Sequence, residues 1–343
     1  MHSNYLGKKN RVSSFMKYIL IFIAVGFFVL DGCQPKINES KSWCLQPLRP
    51  ALLALPEIPT QRPWFKVYTV GESVYAIAEP YNFQEVISYL IVGSEKALLF
   101  DTGMGLDSIS IVAKELTSLP ITVINSHTHY DHIGGNQEFE TILAVDTPYT
   151  RKFSSEGWSH EMVKHEVAED ALCLSKLSKA DTAGYAVKPY HEKISRFIKA
   201  GEFINLGNKR IEILAAPGHT PDGLALLDRE AGYLWTGDTF YEATIWLFFD
   251  GTDLDAYEKS IEEFATLAPN LKKVYPAHNT PIADPQRLIE LKDAFAQIRS
   301  GNKKGVEQKD SQHPEDTTAL IFEFDRFSFL IRKDHLLSEI DSH

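Results

Sequence analysis

From Trp64 onward, apolar residues come in short runs separated by glycine-containing turns, the pattern of β-strands. Phe65–Val70, Ser73–Ala78, Val86–Val92 and Lys96–Phe100 are predicted strands, with turns at Gly71-Glu72 and Gly93-Ser94. Leu106–Leu119 has helical spacing and stops at Pro120, which cannot continue a helix. Ile121–Asn125 is an apolar, β-branched run and predicts a buried strand; Thr141–Val145 predicts another. Between about Asp146 and Lys199, charged residues surround sparse apolar ones, which predicts helix. The strand pattern returns at Arg210–Ala215, Leu224–Leu227 and Tyr233–Thr236. Ala256–Leu267 and Pro285–Arg299 read as helices on either side of a short strand at Val274-Tyr275. Thr318–Ile331 reads as a closing hairpin around Asp325-Arg326. Strands and helices, then strands and helices again, predict an α/β domain of two sheet halves with helices outside, over residues 64–343.

The first 63 residues break this pattern. Lys8, Lys9, Arg11 and Lys17 precede an uninterrupted apolar run from Tyr18 to Leu30. A bilayer-spanning helix needs about 20 apolar residues, so this run has the length of a signal sequence's apolar core. It ends in Leu30-Asp31-Gly32-Cys33, which resembles the bacterial lipoprotein lipobox except at Asp31, where a small or apolar residue is usual. The resemblance implies a signal peptide over residues 1–33, cleavage before Cys33 and lipid on its sulfur. An uncleaved anchor or a plain secretory signal is the alternative. On every one of these readings the protein is exported, to the periplasm or the outer face of a bacterial membrane, with membrane contact only through its N-terminus. Residues 34–63 carry Pro35, Pro47, Pro50, Pro56, Pro59 and Pro63, and predict a tether without lasting helix or strand.

Composition narrows the partners. Thirty-five Lys and Arg against 46 Asp and Glu give a formal net charge of -11. So acidic a chain repels phosphate backbones, and its basic pairs are short and scattered, so no nucleic-acid partner is expected. Cys44 and Cys173 are the only other cysteines; two in such a length make no disulfide framework, and Cys173 reads as a small core residue in an amphipathic helix.

The chemistry begins where strand Ile121–Asn125 ends. Ser126 is followed by His127-Thr128-His129-Tyr130-Asp131-His132. His127 and His129 are two apart, so in extended chain their rings point the same way. Imidazole and carboxylate are the ligands that catalytic zinc sites use while keeping one position open. Three further candidates each follow a predicted strand: His219 in Pro217-Gly218-His219-Thr220, Asp238 in Thr236-Gly237-Asp238-Thr239, and His278 in Pro276-Ala277-His278.

His-x-His-x-Asp-His, followed by a distant His, Asp and His, resembles the metallo-β-lactamase superfamily over about residues 65–300. The resemblance implies a four-layer αββα sandwich with metals at one edge, and a small-molecule substrate. It implies that His127, His129 and His219 hold one zinc ion, that Asp131, His132 and His278 hold a second, and that Asp238 bridges them: two Zn²⁺ per chain. Such a pair generates a metal-bound hydroxide and polarises the attacked oxygen. Asp101, in Leu99-Phe100-Asp101-Thr102-Gly103, matches a family aspartate that holds the metal loop.

The resemblance leaves the substrate open among small ester, lactone, amide and phosphodiester bonds. True β-lactamases of this fold carry Cys or Ser where Asp238 stands, though β-lactamase activity stays an alternative. A mononuclear iron persulfide dioxygenase uses a similar ligand set and is a second one. Tyr241 lies three residues after Asp238, as does a tyrosine of the acyl-homoserine lactonase branch that hydrogen-bonds the substrate carbonyl. Asp131 and Tyr241 are therefore the candidate catalytic residues, with a wall or core role for Tyr241 as the alternative. Trp246, Phe248 and Phe249 either line an apolar pocket or pack in the core, and the stretch 146–199 is expected to cover the site. His160, His165 and His191 lack ligand spacing and read as surface histidines.

Overall fold

A computed structural model of the chain describes residues 43–179, 182–309 and 318–337. The signal segment, its lipobox and Cys33 lie outside the described residues.

Three sheets form among the described residues. The first follows chain order: β1 (Glu57–Ile58), β2 (Lys66–Gly71), β3 (Val74–Ala78), β4 (Ile87–Val92), β5 (Ala97–Phe100), β6 (Ile121–Ile124), β7 (Ile142–Val145) and β8 (Ile194–Ile198). Neighbours pair antiparallel as far as β5 and parallel from there on. The second sheet holds β9 (Phe203–Asn205), β10 (Arg210–Ala215), β11 (Leu224–Asp228) and β12 (Tyr233–Gly237). The chain then leaves it to form β13 (Thr244–Leu247) and returns as β14 (Lys273–Pro276), parallel to β12. β13 pairs in the third sheet with the hairpin of β16 (Thr318–Glu323) and β17 (Ser328–Arg332), which β15 (Val306–Lys309) extends. The helices are α1 (Pro50–Leu53), α2 (Ile109–Leu116), α3 (Tyr130–Ile133), α4 (Pro148–Glu156), α5 (His160–Val163), α6 (Leu254–Leu267), α7 (Gln286–Arg299) and α8 (Lys333–Leu337).

Three apolar clusters fix the layers. Between the first two sheets lie Tyr68, Val74, Tyr89, Ile91 and Phe100 from one and Ile213, Leu226, Trp235 and Tyr275 from the other. The opposite face of the first sheet, with Val67, Leu90, Leu99 and Val123, packs on Ile109 and Val112 of α2. The opposite face of the second, with Leu214, Leu227 and Val274, packs on Ile261 and Phe264 of α6 and on Leu291 and Phe295 of α7. Helix, sheet, sheet, helix is the αββα order. β4 and β5 are buried on both faces, which is why they read as continuous apolar runs and not as alternation. The third sheet belongs to the outer layer, with Ile245 and Phe329 in the same cluster as α6 and α7. Its hairpin is legible in the sequence; its partners β13 and β15 are not, being four residues each and recruited by tertiary pairing.

Three expectations are corrected here. The stretch 146–199 is not continuous helix: α4 and α5 are short, one-turn 3₁₀ segments follow, and Ile194–Ile198 is a strand. Its Ser195 and Arg196 are exposed, so the segment looks solvated until it pairs with β7 at the sheet edge. The proline-rich stretch is not a free tether from Trp43 on. Trp43 donates its indole N–H to the Pro80 carbonyl at 3.0 Å, Leu52 is buried, and β1 pairs with β2. Finally, Cys44 and Cys173 form a disulfide, and Cys173 sits outside any α-helix. Two cysteines 129 residues apart gave the sequence no spacing signal; the fold of the intervening strands brings them together.

A cross-link over so long a loop removes much unfolded-chain entropy. Replacing both cysteines by serine is expected to cost about 2–4 kcal/mol of stability. Urea unfolding of the double variant beside the oxidised parent checks this; an unchanged midpoint at equal slope would mean that the bridge does not constrain the unfolded chain.

Candidate metal centre

The ligand-bearing loop is held from behind. Asp101 follows β5 in the left-handed region, with φ 66°. Its carboxylate accepts from the Ser126 amide at 2.6 Å and hydroxyl at 2.9 Å, and lies 2.9 Å from His132 Nδ1. Asn125 and Thr102 both donate to the His132 carbonyl. Thus Asp101, singled out from the sequence as a support, touches the loop at both ends. Gly134 allows the turn that follows: a Cβ there would lie 2.2 Å from the Met104 backbone.

Each of the other candidates sits where a strand of the second sheet ends. His219 follows Gly218, whose φ of 132° and closeness to the Tyr257 backbone leave no room for a side chain. Its Nδ1 lies 2.7 Å from the Trp246 carbonyl. Asp238 follows β12 and His278 follows β14. His278 Nδ1 lies 2.7 Å from the Gln84 carbonyl. The next residue, Asn279, donates to Glu85, which pairs in turn with Arg49 of the N-terminal segment. The two carbonyls set the tautomers of His219 and His278, leaving Nε2 of each to face inward.

All seven residues predicted from the sequence converge, and all are buried. Their ligand atoms form three overlapping groups: His127, His129 and His219; Asp131, His132 and His278; and His127, His132 and Asp238. His129 Nδ1 and His219 Nε2 are 3.0 Å apart. Asp238 Oδ1 lies 3.2 Å from His132 Nε2 and 3.1 Å from His278 Nε2, while its Oδ2 faces His219 Nε2 at 3.7 Å. Asp131 Oδ2 lies 3.5 Å from His132 Nε2 and 3.6 Å from His278 Nε2.

These separations fit a metal better than they fit hydrogen bonds. His127 Nε2, His132 Nε2, His278 Nε2 and Asp238 Oδ1 are buried with no hydrogen-bond partner, despite the close approaches. Buried polar atoms left unpaired are costly. Donors 2.0–2.1 Å from a tetrahedral zinc ion lie about 3.3 Å from one another, close to the spacing observed. The electrostatics divide the site. Burial, with neighbouring imidazoles, holds His127 and His129 well below the usual histidine range, and burial lowers His219 although Asp238 opposes it. That half is neutral and ready to ligate. Burial also works against charge on His132 and His278, but there Asp131 and Asp238 prevail and raise both. This half draws in positive charge, and a divalent cation would take the place of those protons.

Aromatic residues close the site. Phe249, Trp158 and Tyr149 meet the His129 ring at centroid separations of 4.9, 5.7 and 6.4 Å. Tyr241 is buried with its ring 4.9 Å from that of His278, and its hydroxyl oxygen accepts from the Trp246 amide at 3.3 Å. Burial, with Asp238 nearby, pushes the Tyr241 phenol well above its usual range. Trp246 and Phe249 line the same opening, whereas Phe248 packs with Ala319 and Leu330. Of the three histidines read as surface groups, His191 is exposed, but His160 and His165 are half-buried: His160 Nδ1 lies 2.9 Å from the Tyr185 carbonyl, and His165 lies 3.0 Å from the buried Glu166 carboxylate. Glu166 and Gln84 face the metal-ligand cluster and were not found from the sequence. Glu166 sits in the charged run Lys164-His165-Glu166, which has the look of a solvated face until the fold buries it.

The metallo-beta-lactamase superfamily model matches residues 83–278, more than half of the chain. An acyl-coenzyme A thioesterase of Gallus gallus is 22% identical over 231 residues, covering 63% of this chain and 80% of its own length. A probable polyketide biosynthesis zinc-dependent hydrolase of Bacillus subtilis is 27% identical over 238 residues, covering 66% and 90%. Among solved structures, a metallo-beta-lactamase family protein of Thermus thermophilus aligns with TM-score 0.48 at 23% identity, covering 67% of this chain and 81% of that one. The chain belongs to the metallo-beta-lactamase superfamily and is a metal-dependent hydrolase.

Proposed function

We propose that the protein is an exported dinuclear zinc hydrolase that cleaves an activated acyl bond, an ester or thioester. The observation that carries the dinuclear reading is the placement of Asp238: one oxygen faces His132 and His278, and the other faces His219. His127, His129 and His219 would hold one zinc ion, Asp131, His132 and His278 the other, and Asp238 both. Bound zinc supplies a Lewis acid for the attacked oxygen and lowers the pKa of water towards about 7. The acyl assignment draws support from relatives whose names describe thioester hydrolysis, acyl-coenzyme A thioesterase and hydroxyacylglutathione hydrolase.

In this reading water's oxygen forms the new bond to the acyl carbon, the acyl–oxygen or acyl–sulfur bond breaks, and the leaving group departs with a proton. Asp131 lines the opening at the ligand cluster, where its carboxylate would orient the attacking water. Tyr241 accepts from the Trp246 amide and keeps its own proton, which it can donate to the acyl oxygen as charge develops there. The closed aromatic surround lowers the local dielectric and strengthens both effects.

Export draws support from two features. One is the apolar run ending in Leu30-Asp31-Gly32-Cys33. The other is the Cys44–Cys173 disulfide, a bond that persists in oxidising compartments.

Four measurements test these statements. The purified protein should contain about two zinc ions per chain. Asp238→Ala should lose most of the second ion and on the order of 10²-fold of its activity, with the fold intact. About one iron and no zinc in the parent would overturn the zinc reading; a normal metal count in the variant would overturn the bridge. Tyr241→Phe should lower turnover on an ester on the order of 10²-fold while metal content and melting temperature hold. A drop in melting temperature at unchanged turnover per metal-loaded molecule would make the hydroxyl structural. Cys33→Ser should abolish incorporation of labelled lipid; unchanged membrane attachment would point to an uncleaved anchor.

A further inference from the structure

The opening over the metal-ligand cluster is small, about 40 Å³. A single water needs about 10–15 Å³ of such space, so this opening holds a few waters or a small reacting group and little more. Beside it lies a second cavity of about 310 Å³. Tyr130, Glu166 and Phe249 line both. Apart from Asp250, the rest of the larger cavity is built by the inserted stretch, with Tyr149 and Phe153 of α4, Trp158, and Met162 of α5 as its apolar part.

Two features distinguish this cavity from a packing gap. First, its wall is tied to the metal-ligand loop and continuous with the metal site. The Trp158 indole N–H donates to the Thr128 carbonyl, between the two motif histidines, at 2.9 Å, and the ring stacks on Phe153 at 4.3 Å. Trp158, Tyr149 and Phe249 also contact the His129 ring, so a group lying against them lies beside the ligand cluster. Second, it presents apolar surface to water. Met162 is 47% exposed, one of few large hydrophobic residues so placed among the described residues. Of the charged residues that line it, Lys152 and Asp250 are exposed, while the buried Glu166 lies where it meets the smaller opening. Apolar surface held open to solvent is favourable to cover.

We propose that this cavity receives the apolar acyl chain of the substrate, with the acyl carbonyl at the metal-ligand cluster. The proposal rests on the acyl-hydrolase reading and names its substrate class. A cavity of about 150 Å³ accommodates benzene, so twice that volume suits an acyl chain on the order of ten carbons. The polar leaving group then faces the solvent side of the small opening.

The test uses the zinc-loaded full chain and p-nitrophenyl esters from acetyl to hexadecanoyl, with acetate and decanoate as product probes. We expect kcat/KM to rise at least tenfold from acetyl to decanoyl and to fall again by hexadecanoyl. Decanoate, and not acetate, should raise the melting temperature. Met162→Glu places a charge in the cavity at an exposed position that the fold does not depend on. It should collapse the decanoyl-to-acetyl ratio towards one and abolish the decanoate shift, its own melting curve reporting that it is folded. Hydrolysis with a flat chain-length series overturns the cavity assignment and leaves the hydrolase reading standing. A rise that Met162→Glu leaves unchanged overturns it too. Stabilisation by decanoate that Met162→Glu removes, with no ester cleaved, upholds the cavity and overturns the acyl-hydrolase reading. No cleavage and no decanoate shift overturns both.

Discussion

The structure turns on one constraint: carboxylates and imidazoles packed together in a buried place, with ligand atoms aimed at one another and not at hydrogen-bond partners. Asp131 and Asp238 cannot both stay ionised there without positive charge beside them. In the protein alone the two aspartates raise His132 and His278 above their ordinary range against the pull of burial, which favours protons on those imidazoles. A divalent cation answers the same demand more completely, because it satisfies orphaned nitrogens and oxygens together. An arrangement so unfavourable without a cation persists only because the surrounding fold holds it in place.

That support comes from every layer. Asp101, just after β5, holds the motif loop at both ends, and Asn125 and Thr102 add to the second through the His132 carbonyl. Backbone carbonyls from Trp246 and Gln84 orient His219 and His278. The inner core between the sheets, with Trp235 and Tyr275 against Tyr89, sets the two ligand-bearing halves at a fixed separation. Even the N-terminal segment contributes, since Arg49 holds Glu85, and Glu85 holds Asn279 next to His278. The disulfide ties that segment to the inserted stretch, which in turn carries the aromatic wall beside His129. Stability and chemistry are therefore coupled through the same contacts, and loosening the edge of the domain should be felt at the centre.

The sequence by itself determined the ligands and the scaffold that delivers them. His127, His129, Asp131 and His132 fall within six residues after a β-branched strand, and His219, Asp238 and His278 each follow a strand of their own. Local pattern suffices for these because each ligand sits at the end of a regular element, where the period of the strand changes to a turn. The buried strands β4 to β6 and the helices α6 and α7 were legible for the same reason. What only the tertiary structure decided are features whose partners lie far away in the chain. The bond between Cys44 and Cys173, the edge strand Ile194–Ile198, and the docking of Trp43 to Ile58 depend on surfaces assembled from other segments. Burial of Glu166 and the cavity of Tyr149, Phe153 and Trp158 arise likewise, from a charged stretch whose sequence resembles a solvated helix. Local propensity cannot report them, because the energy that fixes each is released only when the distant surface arrives.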